Sequence, residues 1–348
     1  MKAAVIREFG AALSLEQVAD PDCPAGGVVL QVLACGVCRS DHHAWQGVDP
    51  DVVLPHIPGH EFCGEVVAVG ANATQWRVGD RVIAPFILGC GTCHDCASGE
   101  ATICATQHVP GFTHPGAFAE LIAVDRADAN LVRLPDWMPP AVGAAMGCRL
   151  TTAFRALVDR AAMQPGEWVA VWGCGGVGLS AIQIIRALGG RAIGLDLNPD
   201  KLAKAKALGA EQVLNARDVG GALEAIDALT QGGAHVALDA LGHPTTFDAA
   251  MLSLRKMGRL VQIGMPHGDG VRPPVRLDRL YSHQLAVFGT RGLPSQRFAD
   301  LLTLIEAGKL KPQNMVEQEI ALSGVTNALE ALSQHAGSGV QVVTNFVD

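Results

Sequence analysis

Trp168-Val169-Ala170-Val171-Trp172 runs directly into Gly173-Cys174-Gly175-Gly176-Val177-Gly178, and an apolar stretch over 179–188 follows. A short, wholly apolar run suits a strand buried on both faces, and the stretch after the glycines has helical spacing. The glycines therefore complete a G-x-G-x-x-G pattern at a strand-to-helix junction, the one place where that pattern has a physical meaning. Gly173 permits the tight turn, Gly175 lets backbone amides approach a pyrophosphate, and Gly178 allows close helix–strand packing, with Gly176 and Val177 completing the cofactor-binding turn. The helix N-terminus then favours the anion. The reading is a nucleotide-binding turn; its alternative is a plain glycine-rich turn.

Outward from this stretch, short apolar runs recur at Arg191–Asp196, 211–214, 235–239, 259–263 and 285–289. Between them lie amphipathic segments such as Pro199–Leu208, where Lys201, Lys204 and Lys206 oppose Leu202, Ala205 and Leu208. Six strands with helical crossovers predict an α/β fold, a doubly wound parallel sheet of the Rossmann type over 151–290. Asp196 ends the second strand, eighteen residues beyond Gly178. A carboxylate there can accept hydrogen bonds from both hydroxyls of an adenosine ribose and would repel a 2′-phosphate, so NAD is expected rather than NADP. The alternative is that Asp196 merely caps the helix beginning near Asn198.

The first 150 residues read differently, with glycine, proline and short β-branched runs such as 28–33 and 65–70. This part is expected to be mostly β. The stretch 151–162 reads as a helix joining the two parts, 296–307 as one more helix, and the β-like tail 340–347 is expected to rejoin the first part. At 348 residues the chain is long enough for two cores. It is 49% hydrophobic and 17% charged, as suits a folded enzyme, and its net charge of −8 with no basic run excludes nucleic acid as an expected partner. The N-terminus lacks the apolar core of a signal peptide and no segment approaches the ~20 apolar residues that span a bilayer, so a soluble, cytoplasmic protein is expected.

Ten cysteines then need a reading. Cys90, Cys93, Cys96 and Cys104 form C-x₂-C-x₂-C-x₇-C, a spacing suited to a closed, four-thiolate structural zinc site. Strained local disulfides are the alternative, and ferredoxin-type iron–sulfur spacings differ. Three further elements, Gly36-Val37-Cys38-Arg39-Ser40-Asp41-His42-His43, Gly59-His60-Glu61 and Gly147-Cys148-Arg149, each hold a thiol or imidazole. Taken singly, each reads as a buried cysteine or a satisfied histidine.

Taken together and in this order, these elements resemble the zinc-containing alcohol dehydrogenases of the medium-chain dehydrogenase/reductase superfamily, over essentially the whole chain. The resemblance implies a GroES-like, mostly β catalytic domain over 1–150 and 291–348, with the zinc lobe at 90–104, beside the Rossmann domain. It implies a catalytic zinc on Cys38, His60 and Cys148, whose vacant fourth position takes an alcohol oxygen while NAD takes the hydride. Ser40 and His43 are implied as the proton relay, His43 rather than His42 because of its spacing from Cys38. Asp41 is implied as the partner that orients His60, and Glu61 as a carboxylate able to approach the zinc. For the cofactor, the resemblance implies Arg39 at the pyrophosphate, with Thr152 and Lys201 alongside; relatives have a second arginine where this chain has Gln341. Trp45 and Phe86 are implied to line an apolar pocket, with Ser40 leaving room for bulky or secondary alcohols. The short stretch between Cys104 and Gly116 resembles a homotetrameric branch, with 285–289 as an edge strand able to pair across a two-fold axis. A polyol dehydrogenase, whose third ligand is usually glutamate, is the nearest enzymatic alternative. A non-catalytic NAD- and zinc-binding redox sensor or adaptor is the alternative from another class.

Overall fold

The order of strands explains why the glycine turn lies where it does. In the computed structural model, which describes every residue except His267, Pro274, His335, Ala336, Ser338 and Asp348, the chain forms two units. One comprises Met1–Thr151, Gly292–Leu301 and Met315–Asp348; the other comprises Thr152–Arg291 and Leu302–Asn314. The stretch after residue 290 thus contributes to both.

In the second unit the described residues form six parallel strands in the order Gln212–Asn215, Arg191–Asp196, Trp168–Trp172, Ala234–Asp239, Leu254–Gln262, Ala286–Gly289. The first strand in sequence lies in the middle, and the order reverses between it and Ala234–Asp239. That reversal is the topological switch at which open α/β sheets bind ligands, at the carboxyl ends of the strands. Trp168–Trp172 is buried along its whole length, as expected for a strand covered on both faces. Ile193, Leu195, Ala237 and Leu260 pack in the same core. One strand exceeds its expected span: Leu254–Gln262 begins five residues before 259, because the exposed, charged Arg255 and Lys256 interrupt the apolar signal.

In the first unit a seven-stranded sheet runs Val316–Ala321, Val340–Asn345, Val28–Gly36, Glu61–Val69, Arg81–Ile83, Val132–Arg133, with Leu121–Val124 also paired to Val28–Gly36. Its core gathers Leu30, Val32, Phe62, Val66, Phe118 and Leu329. The two central strands extend past the runs at 28–33 and 65–70, and the added residues lead straight into the site. The stretch 151–162 is not one α-helix: it is α-helical over Arg149–Arg155 and π-helical over Ala156–Arg160, closed by Ala161 N–H to Ala156 C=O at 2.8 Å. Among the described residues no helix is long and apolar enough to cross a membrane.

Candidate metal centre and cofactor loop

Gly36 ends its strand directly opposite Glu61. A Cβ on Gly36 would stand 2.6 Å from Glu61 Oε2, so glycine here makes room for a carboxylate. The chain passes through Val37 into the helix Arg39–Trp45, with Cys38 as its N-cap. Asp41 ties two segments together: one oxygen accepts from Cys38 N–H at 2.8 Å, and the other accepts from Gly59 N–H at 3.2 Å and bonds His60 Nδ1 at 2.7 Å. His60 Nε2 is buried and has no hydrogen-bond partner among the described residues. An imidazole fixed at Nδ1 by a carboxylate and unmatched at Nε2 is arranged as metal-binding histidines are. Cys148 enters from the end of the helix Pro140–Met146 through Gly147, whose Cβ would lie 3.1 Å from Glu61 Cα.

One donor atom each from Cys38, His60, Glu61 and Cys148 lie within 4.8 Å of one another, all buried. The resulting electrostatics are those of donors in search of a cation. A hydrogen bond from the Cys148 thiol, helped by Arg149 and His60 against the effect of burial, holds the Cys38 thiol well below its ordinary pKa. That hydrogen bond and burial together push Cys148 up. Burial opposes charge on His60, yet the Asp41 carboxylate lifts its pKa well above the ordinary range. Burial raises Glu61 to about 8 against the pull of Arg149. Two sulfurs and an imidazole suit zinc, and this donor set fits it.

Of the other expected residues, Asp41, Glu61, Ser40 and Phe86 contact or join the donor set. Ser40 Oγ lies 3.9 Å from Cys38 Sγ. His42 Nε2 and the Ser333 hydroxyl are 2.6 Å apart and the His42 ring meets Trp45 at 5.7 Å, so this imidazole has work elsewhere. His43 lies beside it, ring centroids 6.0 Å apart. Arg39 is partly buried at the start of the same helix. Phe86 meets His60 edge-on at 5.7 Å and packs with Cys38 and Cys148. Trp45 differs: its indole N–H donates to Ala11 C=O at 2.5 Å and it packs in the main core of the unit rather than with Phe86. Two residues escaped the sequence reading. Phe112 meets His60 at 5.1 Å, and nothing in its local sequence signals this. Arg149 is buried with its guanidinium on Glu61 and Val37; a lone charge beside a cysteine in an apolar stretch was the available signal.

Cys90, Cys93, Cys96 and Cys104 form a second cluster within the same 4.8 Å limit. Cys90 and Cys96 sulfurs are 3.9 Å apart and those of Cys93 and Cys104 3.8 Å, contacts rather than bonds. Backbone N–H groups point at the sulfurs, Cys93 to Cys90 at 3.2 Å and Cys90 to Cys104 at 3.3 Å. Donation from the Thr92 backbone and hydroxyl and from Cys93 lowers the Cys90 thiol to about 5.

In the second unit Gly173 has φ +98°, and a Cβ on Gly178 would come within 1.9 Å of Gly173 O, so both positions require glycine for the protein's own packing. Gly175 does not: no described atom lies within 4 Å of where its Cβ would be, which leaves open space over the start of the helix Gly176–Ala187. Asp196 accepts from Cys174 N–H at 2.8 Å and from Asn198 N–H at 2.9 Å, tying its strand end to the glycine turn. Asn198, not Asp196, is the N-cap of Pro199–Leu208, accepting from Asp200 N–H at 2.8 Å. Lys201 lies in the first turn of that helix, and Thr152 is buried in Arg149–Arg155.

A thiolate–imidazole centre in a β unit and a glycine turn at the switch point of a parallel sheet define a metal-binding dehydrogenase with a nicotinamide cofactor. Comparison with known proteins narrows the class. Residues 24–136 match the family model described as the alcohol dehydrogenase GroES-like domain, and residues 176–307 that of the zinc-binding dehydrogenases. The chain is 35% identical over 349 residues to an alcohol dehydrogenase of Moraxella sp. (strain TAE123), with 96% of each chain covered. It is 34% identical over 325 residues to one of Geobacillus stearothermophilus, with 90% of each covered. A crystal structure of an NAD-dependent alcohol dehydrogenase superposes with a TM-score of 0.90 at 28% identity, covering 99% of this chain and 100% of that one. The chain belongs to the zinc-dependent alcohol dehydrogenase family of the medium-chain dehydrogenases, and it is an oxidoreductase using zinc and a nicotinamide cofactor.

Proposed function

We propose that this enzyme oxidises primary or secondary alcohols to aldehydes or ketones, and runs the reverse reaction, with NAD as hydride carrier and a catalytic zinc on Cys38, His60 and Cys148. The observation that carries the proposal is the convergence of those three donors, from segments 22 and 88 residues apart, around a buried imidazole nitrogen with no other described partner. Bound there, zinc supplies Lewis-acid polarisation of an alcohol oxygen, and NAD on the glycine turn supplies the hydride acceptor. The residues do the rest. Asp41 fixes the tautomer of His60, Ser40 takes the hydroxyl proton and His43 hands it towards solvent. Phe86 and Phe112 keep the surroundings of His60 apolar. Arg39, Thr152, Lys201 and Gly173 to Gly178 hold the cofactor, and the Asp196 carboxylate, with lone pairs left on both oxygens, selects NAD over NADP.

The four-cysteine cluster is read as a structural zinc site, giving two zinc ions per chain. Thiols kept reduced for metal fit a cytoplasmic setting. The outer sheet position of Ala286–Gly289, with Val287 exposed, supports pairing of copies towards a homotetramer; light scattering at the monomer mass would refute it. Mixing the protein with NAD and a panel of primary, secondary and aromatic alcohols should produce NADH, and a chelator should abolish it. No NADH from any alcohol would overturn the reading. Ser40 further predicts that branched or aromatic alcohols turn over faster than ethanol, and a clear win for ethanol would contradict that part.

A further inference from the structure

One guanidinium, carried by the residue that follows Cys148, touches a sequence neighbour of each of the other two proposed zinc ligands. Arg149 directly follows Cys148; it grips Glu61, which follows His60, with Nε 3.0 Å from Oε1 and Nη2 2.8 Å from Oε2; and Nη2 donates to the carbonyl of Val37, which precedes Cys38, at 2.9 Å. Both charged side chains are buried. The Glu61 carboxylate also belongs to the group whose donor atoms lie within 4.8 Å of one another. The centre thus holds four donors, whereas a zinc that receives substrate uses three and keeps a place open. The guanidinium hydrogen-bonds Oε1 and ion-pairs with Oε2, a buried oxygen with no hydrogen-bond partner among the described residues, so the ion pair alone holds the oxygen a metal would take.

We propose that Arg149 is a positioning residue that withholds Glu61 from the zinc and so keeps the fourth coordination place available to substrate. The proposal rests on Cys38, His60 and Cys148 being the ligands. Without the guanidinium, the buried carboxylate loses its ion-pair partner, and the metal becomes the cation it turns to. Gly36, opposite it in the sheet, leaves the carboxylate the space it occupies.

Cobalt substituted for zinc reports the coordination directly. Visible spectra and the rate of metal removal by a chelator should be recorded for the wild type, R149M, R149K and the double variant R149M/E61Q. R149M should shift the cobalt bands and slow metal loss by about tenfold, the scale on which partners of metal ligands act. R149M/E61Q should return both towards the wild type, and R149K, with one ammonium in place of the fork, should fall between. An unchanged R149M spectrum, or the same change in R149M/E61Q as in R149M, would overturn the proposal, since the effect would then not pass through Glu61. Should R149M fail to fold, R149K against R149K/E61Q makes the same comparison. Failure of the ligand assignment would look different: C38S would then match the wild type in cobalt content and spectrum.

Discussion

Two clusters of side chains able to hold a metal stand in one folding unit and are assembled by opposite means. Cys90, Cys93, Cys96 and Cys104 come from one short lobe, partly exposed, and the turns that carry them donate their own N–H groups to the sulfurs. Cys38, His60 and Cys148 come from three distant segments, all buried, with Asp41, Glu61 and Arg149 packed around them. Four like donors close a site. Mixed donors with the carboxylate held by a guanidinium would leave one open, so under the proposed function the two clusters differ as a staple differs from a reaction centre.

The contrast breaks most sharply under ligand removal. C148A should reduce turnover by about 10³-fold or more, the loss of several kcal/mol of Lewis-acid stabilisation, and metal content by about one ion per chain. C104S should do the reverse: it should lower the melting temperature by about 10 °C, as loss of a few kcal/mol does in a chain of this size, while leaving most activity at low temperature. Calorimetry and steady-state rates on both variants test the pair, and equal effects of the two would erase the distinction.

A smaller effect sharpens the buried side of the comparison. D41N should weaken metal affinity or activity by about 10- to 100-fold, because the amide cannot hold His60 Nδ1 as the carboxylate does; titration with a zinc-chelating dye checks it. The smallest effect concerns the segment that runs from the lobe to the centre. His108 and His114 stack at 3.9 Å on either side of Val109 and Phe112, which pack with Cys38 and Cys148. Burial and the nearby Arg126 charge lower both imidazoles, and His114 lowers His108 further. The folded form therefore favours neutral rings. Below about pH 6.5 the unfolded chain binds more protons, so stability from this pair is present above that pH and lost beneath it. H114Q should flatten the fall in denaturant midpoint between about pH 7 and about pH 5.

How far each cluster was legible in the sequence follows from how it is built. The lobe and the glycine turn are local, and spacing alone revealed both: Gly173 and Gly178 are glycines because their own surroundings exclude a Cβ. The alternation of strands and helices in the second unit was equally plain, since buried parallel strands read as apolar runs. The buried centre was different. Cys38, His60 and Cys148 carried no local signal that they meet, and only the family resemblance joined them. The strand ends that deliver them, Gly36 and Glu61, lie beyond the apolar runs at 28–33 and 65–70 because a glycine and a buried acid do not look like strand. Arg149, a lone charge in an apolar stretch, and Phe112 gained no role from sequence because their partners, Glu61 and His60, are distant in the chain and the fold brings them together. Trp45 shows the converse, for its position implied a pocket wall and its indole is engaged in the core.

The most direct test is zinc-edge X-ray absorption on the purified protein, with its metal content measured. Two zinc environments are predicted, one of four sulfurs and one of two sulfurs, an imidazole nitrogen and a light atom, averaging about three sulfurs per zinc. A purely four-sulfur spectrum with one zinc per chain would contradict the account, because no metal would then stand between Cys38, His60 and Cys148.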